Sequence, residues 1–192
     1  MLIDFSQTDK SQRYHLMSSI VVPRPVAWVS TFGVVDNIAP FSYFTPLSSQ
    51  PPTVMISIGH KADGSAKDTL RNLRENHLCS ISIVDEAHIL QMHRSGESLE
   101  YDKSEFERFN IPKQSIIDGY PPVPQGIKAV LFGRYIQEVE LKGSATIPVI
   151  IEIEHIYVDD EIITDGKINE SLEAIARMGG SYKRVGKDIA IG

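Results

Sequence analysis

A chain of 192 residues holds one domain's worth of sequence, read here as a single domain over residues 1–192, and 42% hydrophobic with 23% charged residues is the balance of a packed globule rather than of a disordered chain. The net charge is −6 and the basic residues are scattered, which leaves no footprint for nucleic acid. A single cysteine, an amino terminus without a basic-then-apolar leader, and apolar runs far below the ~20 residues of a membrane-spanning helix point to a soluble protein of the reducing cytosol.

Residues 10–18 suit a short helix, and the prolines at 23 and 25 then impose an extended lead-in. Residues 26–31 (VAWVST) read as a strand, with Gly33, Asp36 and Asn37 supplying a hairpin turn. A proline turn at 50–52 precedes a second strand at 53–59, where Val54, Ile56 and Ile58 alternate with Thr53, Met55 and Ser57. Ser65 stands as the N-cap of a helix on which Leu70, Leu73 and His77 recur at helical spacing. Residues 78–84 form another strand, which turns Cys79 into the core as inert packing. Short helices at 85–95 and 104–109 and a rigid connection at 120–124 lead to two long β-runs, 127–141 and 146–158, joined as an antiparallel hairpin. A short strand at Ile162 and Ile163 and a helix over 169–178, closed by Gly179 and Gly180, complete the chain. Strands joined mostly by turns make a mainly antiparallel sheet able to close into a small barrel.

Several chemistries lack their residues. There is no Gly-x-Gly-x-x-Gly run between a strand and a helix, and the stretch from Gly180 to Lys187 is one residue too long for a P-loop. The six histidines show no His-x-x-x-His pair, so no metal is expected, and no Gly-x-Ser-x-Gly elbow supports a hydrolase.

Ser65 to Thr69 gathers a hydroxyl, an ammonium and free backbone N–H groups at the positive end of a helix, the chemistry of a phosphate monoester site as well as of a capped surface helix. Its context is VPRPVAWVST at 22–31, NIAPFSYF at 37–44, the Pro51–Pro52 turn, and Lys67, Asp68 and Thr69 with Asn72. Together and in this order these segments resemble the flavin reductase-like family of FMN-binding split barrels. The tail GGSYKRV at 179–185 is similar to the same family's ending.

The resemblance implies a mainly β fold, a six-stranded antiparallel Greek-key split barrel with a few flanking helices, working as a homodimer. It places Ser30, Thr31, Lys67, Asp68 and Thr69 around the phosphate and ribityl end of FMN, and Asn37, Ala39, Pro40 and Ser42 along the isoalloxazine. Tyr182 and Arg184 of the tail would reach the flavin or a second subunit. Lys67 and Thr69 suit an anion, whereas Asp68 repels it and reads as a cap or supporting residue. Asn37 is open to two readings, an amide that meets the flavin's mixed edge or a residue that tolerates a left-handed turn. Trp28 and Phe41 read as core aromatics, and Arg24 as a solvated or ion-paired surface residue. The implied activity is NAD(P)H-dependent flavin reduction, in which the flavin does the chemistry and no catalytic acid or base is required. The alternative is an FMN-binding electron-transfer or sensor protein without direct NAD(P)H turnover.

Overall fold

The alternation at residues 53–59 and the β-branched runs after residue 126 build a curled sheet in the computed structural model, which describes residues 1–185. Its strands are β1 (Ala27–Thr31), β2 (Asn37–Phe41), β3 (Phe44–Ser49), β4 (Pro52–Gly59), β5 (Leu78–Ile83), β6 (Ala129–Glu138) and β7 (Thr146–Val158). They lie in the order β2-β1-β5-β6-β7-β4-β3, every neighbour antiparallel. The barrel sheet therefore has seven strands where six were expected. The edge strands β2 and β3 are consecutive in the chain, linked only by Ser42 and Tyr43. Three Cα steps reach at most about 11 Å, so this link brings the two edges together and curls the sheet. The Ser57 amide seals the corner by donating to the Tyr43 carbonyl at 2.8 Å.

Inside the curl, Val29, Ile56, Ile58, Ile81 and Ile151 are fully buried. The helix α2 (Asp68–Asn76) joins the same core through Leu70 and Leu73. Cys79 is buried there too, and burial pushes its thiol up to about 12, as expected of an inert core residue. Gly133 lets β6 approach β7, since a Cβ would stand 2.5 Å from Ile151 Cγ2. On the outer face Trp28 and Ile38 pack with Met92 of α3 (Ile89–Arg94) and Phe106 of α4 (Glu105–Arg108).

The amino-terminal helix α1 (Lys10–Ile20) begins in a capping box of Asp9 and Gln12. Three expectations need correction. Residues 169–178 are not a helix. Glu170–Leu172 makes one 3-10 turn, Glu173 takes a left-handed φ of 47°, and Ile175–Met178 is a strand between Arg24–Pro25 and Ser181–Arg184. Pairing and the burial of Ile175 and Ala176 outweigh the helical preference of so short a segment. Ser65 does not cap α2. Its hydroxyl donates to Asp63, Ala66 bridges back to His60, and Lys67 is the N-cap by its backbone. Arg24 is not at the surface. It is 5% exposed, and Nη1 donates to the carbonyls of Ser18 and Val21 at the end of α1. Of the Gly180–Lys187 stretch, Gly186 and Lys187 lie outside the described residues.

Candidate functional site

The free edge of β2 and the start of α2 face each other across a cleft. Asn37, Ala39 and Pro40 line one side and Lys67, Asp68 and Thr69 the other, six of the residues singled out in the sequence. Sequence positions about 30 apart meet because α2 closes the end of the barrel beside β2. The third wall is the segment from Ser95 to Leu99. It is held in place by Trp28, whose indole N–H donates to Ser95 Oγ at 2.9 Å, and by the near contact of Gly96 with Pro40. Trp28 is thus a core aromatic that anchors a cleft wall from behind.

The floor is polar. Asn37 Nδ2 donates to both oxygens of Glu105, at 3.1 and 3.0 Å, and the Ile38 amide donates to Glu105 Oε2 at 3.1 Å. Asn37 Oδ1 accepts from Thr69 at 2.9 Å and from Thr31 at 3.3 Å. Asn72 Nδ2 donates to Thr31 Oγ1, and Tyr101 donates to Asn72 Oδ1. Burial is the largest influence on Glu105 and pushes its carboxyl up to about 6 against the pull of these N–H donors. Lys61 is ion-paired with Asp68 at 2.6 Å. Lys67 gives no side-chain cap bond to α2, and its ammonium stands 5.8 Å from the Phe41 ring centroid.

Ser30 and Thr31 are fully buried below the cleft rather than in its wall, and the Ser30 hydroxyl has no partner among the described residues. Ser42 is in the seam between β2 and β3. Tyr182 meets His93 Nδ1 at 3.2 Å under the Arg177 guanidinium, and Arg184 pairs with Glu86 and Glu173. None of these five residues lines the cleft. Sequence reasoning missed Lys61, Glu97 and Glu105. Each stands in a loop or a single helical turn, where no periodicity marks it.

A phosphate-bearing cofactor fits this donor set: two lysines, and the first-turn N–H groups of α2, which have no intrahelical acceptor. Residues 17–170 match the model of the flavin reductase like domain. The chain belongs to that family. The family fixes the chemistry in outline as that of a flavin oxidoreductase, and the fold is its split barrel. The uncharacterized protein BH2278 of Halalkalibacterium halodurans is 30% identical over 209 residues, covering 100% of this chain and 95% of its own. Among solved structures, nitrilotriacetate monooxygenase component B from Bacillus cereus superposes with a TM-score of 0.93 at 25% identity, over 100% of this chain and 98% of that one. A split barrel domain chain from Shewanella frigidimarina gives 0.84 at 21% identity, over 100% and 98%. Among the described residues no helix is long and apolar enough to cross a membrane.

Proposed function

We propose that the chain binds FMN and reduces it with NAD(P)H, acting as a homodimer in the cytosol. The observation that carries this reading is the meeting of β2 and the start of α2 in one cleft, which sets an anion-binding helix end beside an unpaired strand edge. Lys67, Lys61 and the N–H groups at Asp68 and Thr69 hold the phosphate. The edge at Ala39 and Pro40 lies along the ring system and offers backbone groups to its polar rim. The segment from Glu97 to Leu99 shields that face from water. The bound flavin supplies the hydride-accepting chemistry, so the protein's part is to place it and exclude solvent. Ser30, Thr31, Ser42, Tyr182 and Arg184 are left out of the proposed contacts.

Titration of the purified protein with FMN, riboflavin and FAD, followed by anaerobic addition of NADH and NADPH, tests this reading. FMN is expected to bind most tightly and to bleach with at least one nicotinamide. Lys67→Ala should weaken FMN by about 1.5–3 kcal/mol and leave riboflavin nearly unchanged. Equal affinity for FMN and riboflavin would remove the phosphate site. Bound FMN that neither nicotinamide reduces would leave an electron carrier instead.

A further inference from the structure

The hydrogen bonds under the cleft all run in one direction. Tyr101 donates to Asn72, Asn72 to Thr31, Thr31 and Thr69 to Asn37, and Asn37 to Glu105. The direction is set at its end, because an ionised carboxylate only accepts. Glu105 therefore draws the NH2 of Asn37 towards itself and leaves Oδ1 facing the two threonines. A hydroxyl has one proton, and Thr69 spends it on Asn37. While that bond lasts, Thr69 offers the cleft lone pairs alone, the wrong polarity for an anion.

The charges around Glu105 point the same way. Two cations line the cleft, Lys61 from the loop after β4 and Lys67 at the start of α2. Three carboxylates share it: Asp68 on α2, Glu97 on the third wall and Glu105 itself on α4. The remaining neighbours are neutral or already paired: Tyr101 in the network, Asp36 beside β2 with Lys113, and Arg71 with Glu75. One proton on Glu105 would balance the cleft and make the carboxyl a donor. The Asn37 amide can then turn over, accept from Glu105 and donate to the threonine oxygens. Asn72 turns over with it, accepting the Thr31 proton and donating to the Tyr101 oxygen, and the Thr69 proton is released towards the cleft.

We propose that Glu105 is the positioning residue of the phosphate site and takes up a proton when a phosphate-bearing flavin binds, the Asn37 amide turning over to free the Thr69 hydroxyl. The proposal rests on the phosphate lying at Lys67 to Thr69. The elevation of the Glu105 carboxyl to about 6 puts the uptake within reach of neutral pH.

Calorimetry in two buffers of different ionisation enthalpy counts the protons. Sulfate is the first probe, because its charge does not change between pH 6 and 8, and FMN is the second. Wild-type protein is expected to take up a fraction of a proton with sulfate at pH 7, and Glu105→Gln none. A rise of one unit in the Glu105 pKa on binding changes affinity up to about tenfold, so sulfate should bind wild-type protein up to about tenfold more weakly at pH 8 than at pH 6, and Glu105→Gln equally at both. Equal proton counts in the two proteins, a flat wild-type affinity, or no sulfate binding would each overturn the proposal. Should Glu105→Gln not fold, the infrared difference between free and sulfate-loaded wild type must show a protonated carboxyl gained on binding, and its absence overturns the proposal as well. If sulfate binds with Glu105-dependent uptake while FMN does not bind, the flavin reading fails and the coupling stands. If FMN binds with the same proton count in wild type and Glu105→Gln, the coupling fails alone.

Discussion

The Asn37 amide is held at both ends: Nδ2 donates to the two oxygens of Glu105, and Oδ1 accepts from Thr31 and Thr69. It carries no left-handed backbone, so a turn role does not describe it, and it lines the cleft with its amide anchored to Glu105. Asn37→Gly should accordingly destabilise the protein at pH 7.5 by about 3 kcal/mol, the upper range for leaving a buried charged acceptor short of donors, and by less at pH 5, where Glu105 is neutral. An unchanged urea midpoint at both pH values would show that the bond to Glu105 does not support the fold. His88 offers a second residue-scale test. Its Nδ1 lies 2.6 Å from Asp85 Oδ1, and that bond holds the imidazole above its usual range. Burial pushes the Asp85 carboxyl up, but the bond to His88 and its charge outweigh this and leave it below the usual value. The imidazole's contribution to stability is full below pH 6.5 and is lost as pH rises through its raised value. The carboxyl's is present above 3.8 and is lost as pH falls through its lowered value. Unfolding free energy should fall between pH 6.5 and 8.5 in the wild type and stay flatter in Asp85→Asn, as denaturant titrations at a series of pH values would show. The sequence revealed the cleft residues that sit in marked segments, 37–40 and 67–69. Glu105 and Lys61 were illegible because their roles depend on partners 68 and seven residues away, Asn37 and Asp68, which only the folded chain brings to them.

At the scale of elements, two glycines separate packing of the barrel from organisation of the cleft. A Cβ at Gly133 would meet Ile151 Cγ2 at 2.5 Å and the Glu152 carbonyl at 2.8 Å, and backbone cannot swing aside. A Cβ at Gly33 would instead meet both amide atoms of the buried Asn72 at 2.8 Å and push that side chain off Thr31. Gly133→Ala is expected to cost about 1–3 kcal/mol of stability, the range for overpacking a core, with flavin affinity preserved in the folded fraction. Gly33→Ala should lose flavin affinity out of proportion to its stability, and equal losses in both variants would count against the network as the support of the cleft. Elements whose apolar residues alternate were the most legible: β4 and β5 fall where Val54, Ile56 and Ile58, and then Cys79 and Ile81, predict them. The strand at Ile175–Met178 has a spacing that suits a helix. Its pairing with Arg24 and Pro25, some 150 positions earlier, leaves no local trace. Strand β3 escaped notice for a related reason, since it is an exposed edge with Pro46 inside it and shows no buried alternation beyond Phe44.

Several large apolar side chains remain outside on the whole molecule. Tyr14, Met17, Ile20 and Val21 are all exposed on or just after α1, and Leu47 is exposed on β3. Exposed apolar side chains of that kind fit burial against a second copy of the chain. Sedimentation at micromolar concentration should give roughly twice the 21.4 kDa of one chain, and Met17→Glu with Ile20→Glu should halve it; a wild-type mass near 21.4 kDa would rule the dimer out. Ser42 and Tyr43 form the seam of the curled sheet. Viewed as a hoop, the sheet is fastened at that corner by covalent bonds, while the rest of its split has no ladder between β2 and β3. The clasp is a dipeptide, so its length is also the hoop's gauge. Extra residues at the turn between β6 and β7 would merely dangle, whereas the same residues spliced between Phe41 and Phe44 would let the hoop spring and carry the β2 wall of the cleft away from α2.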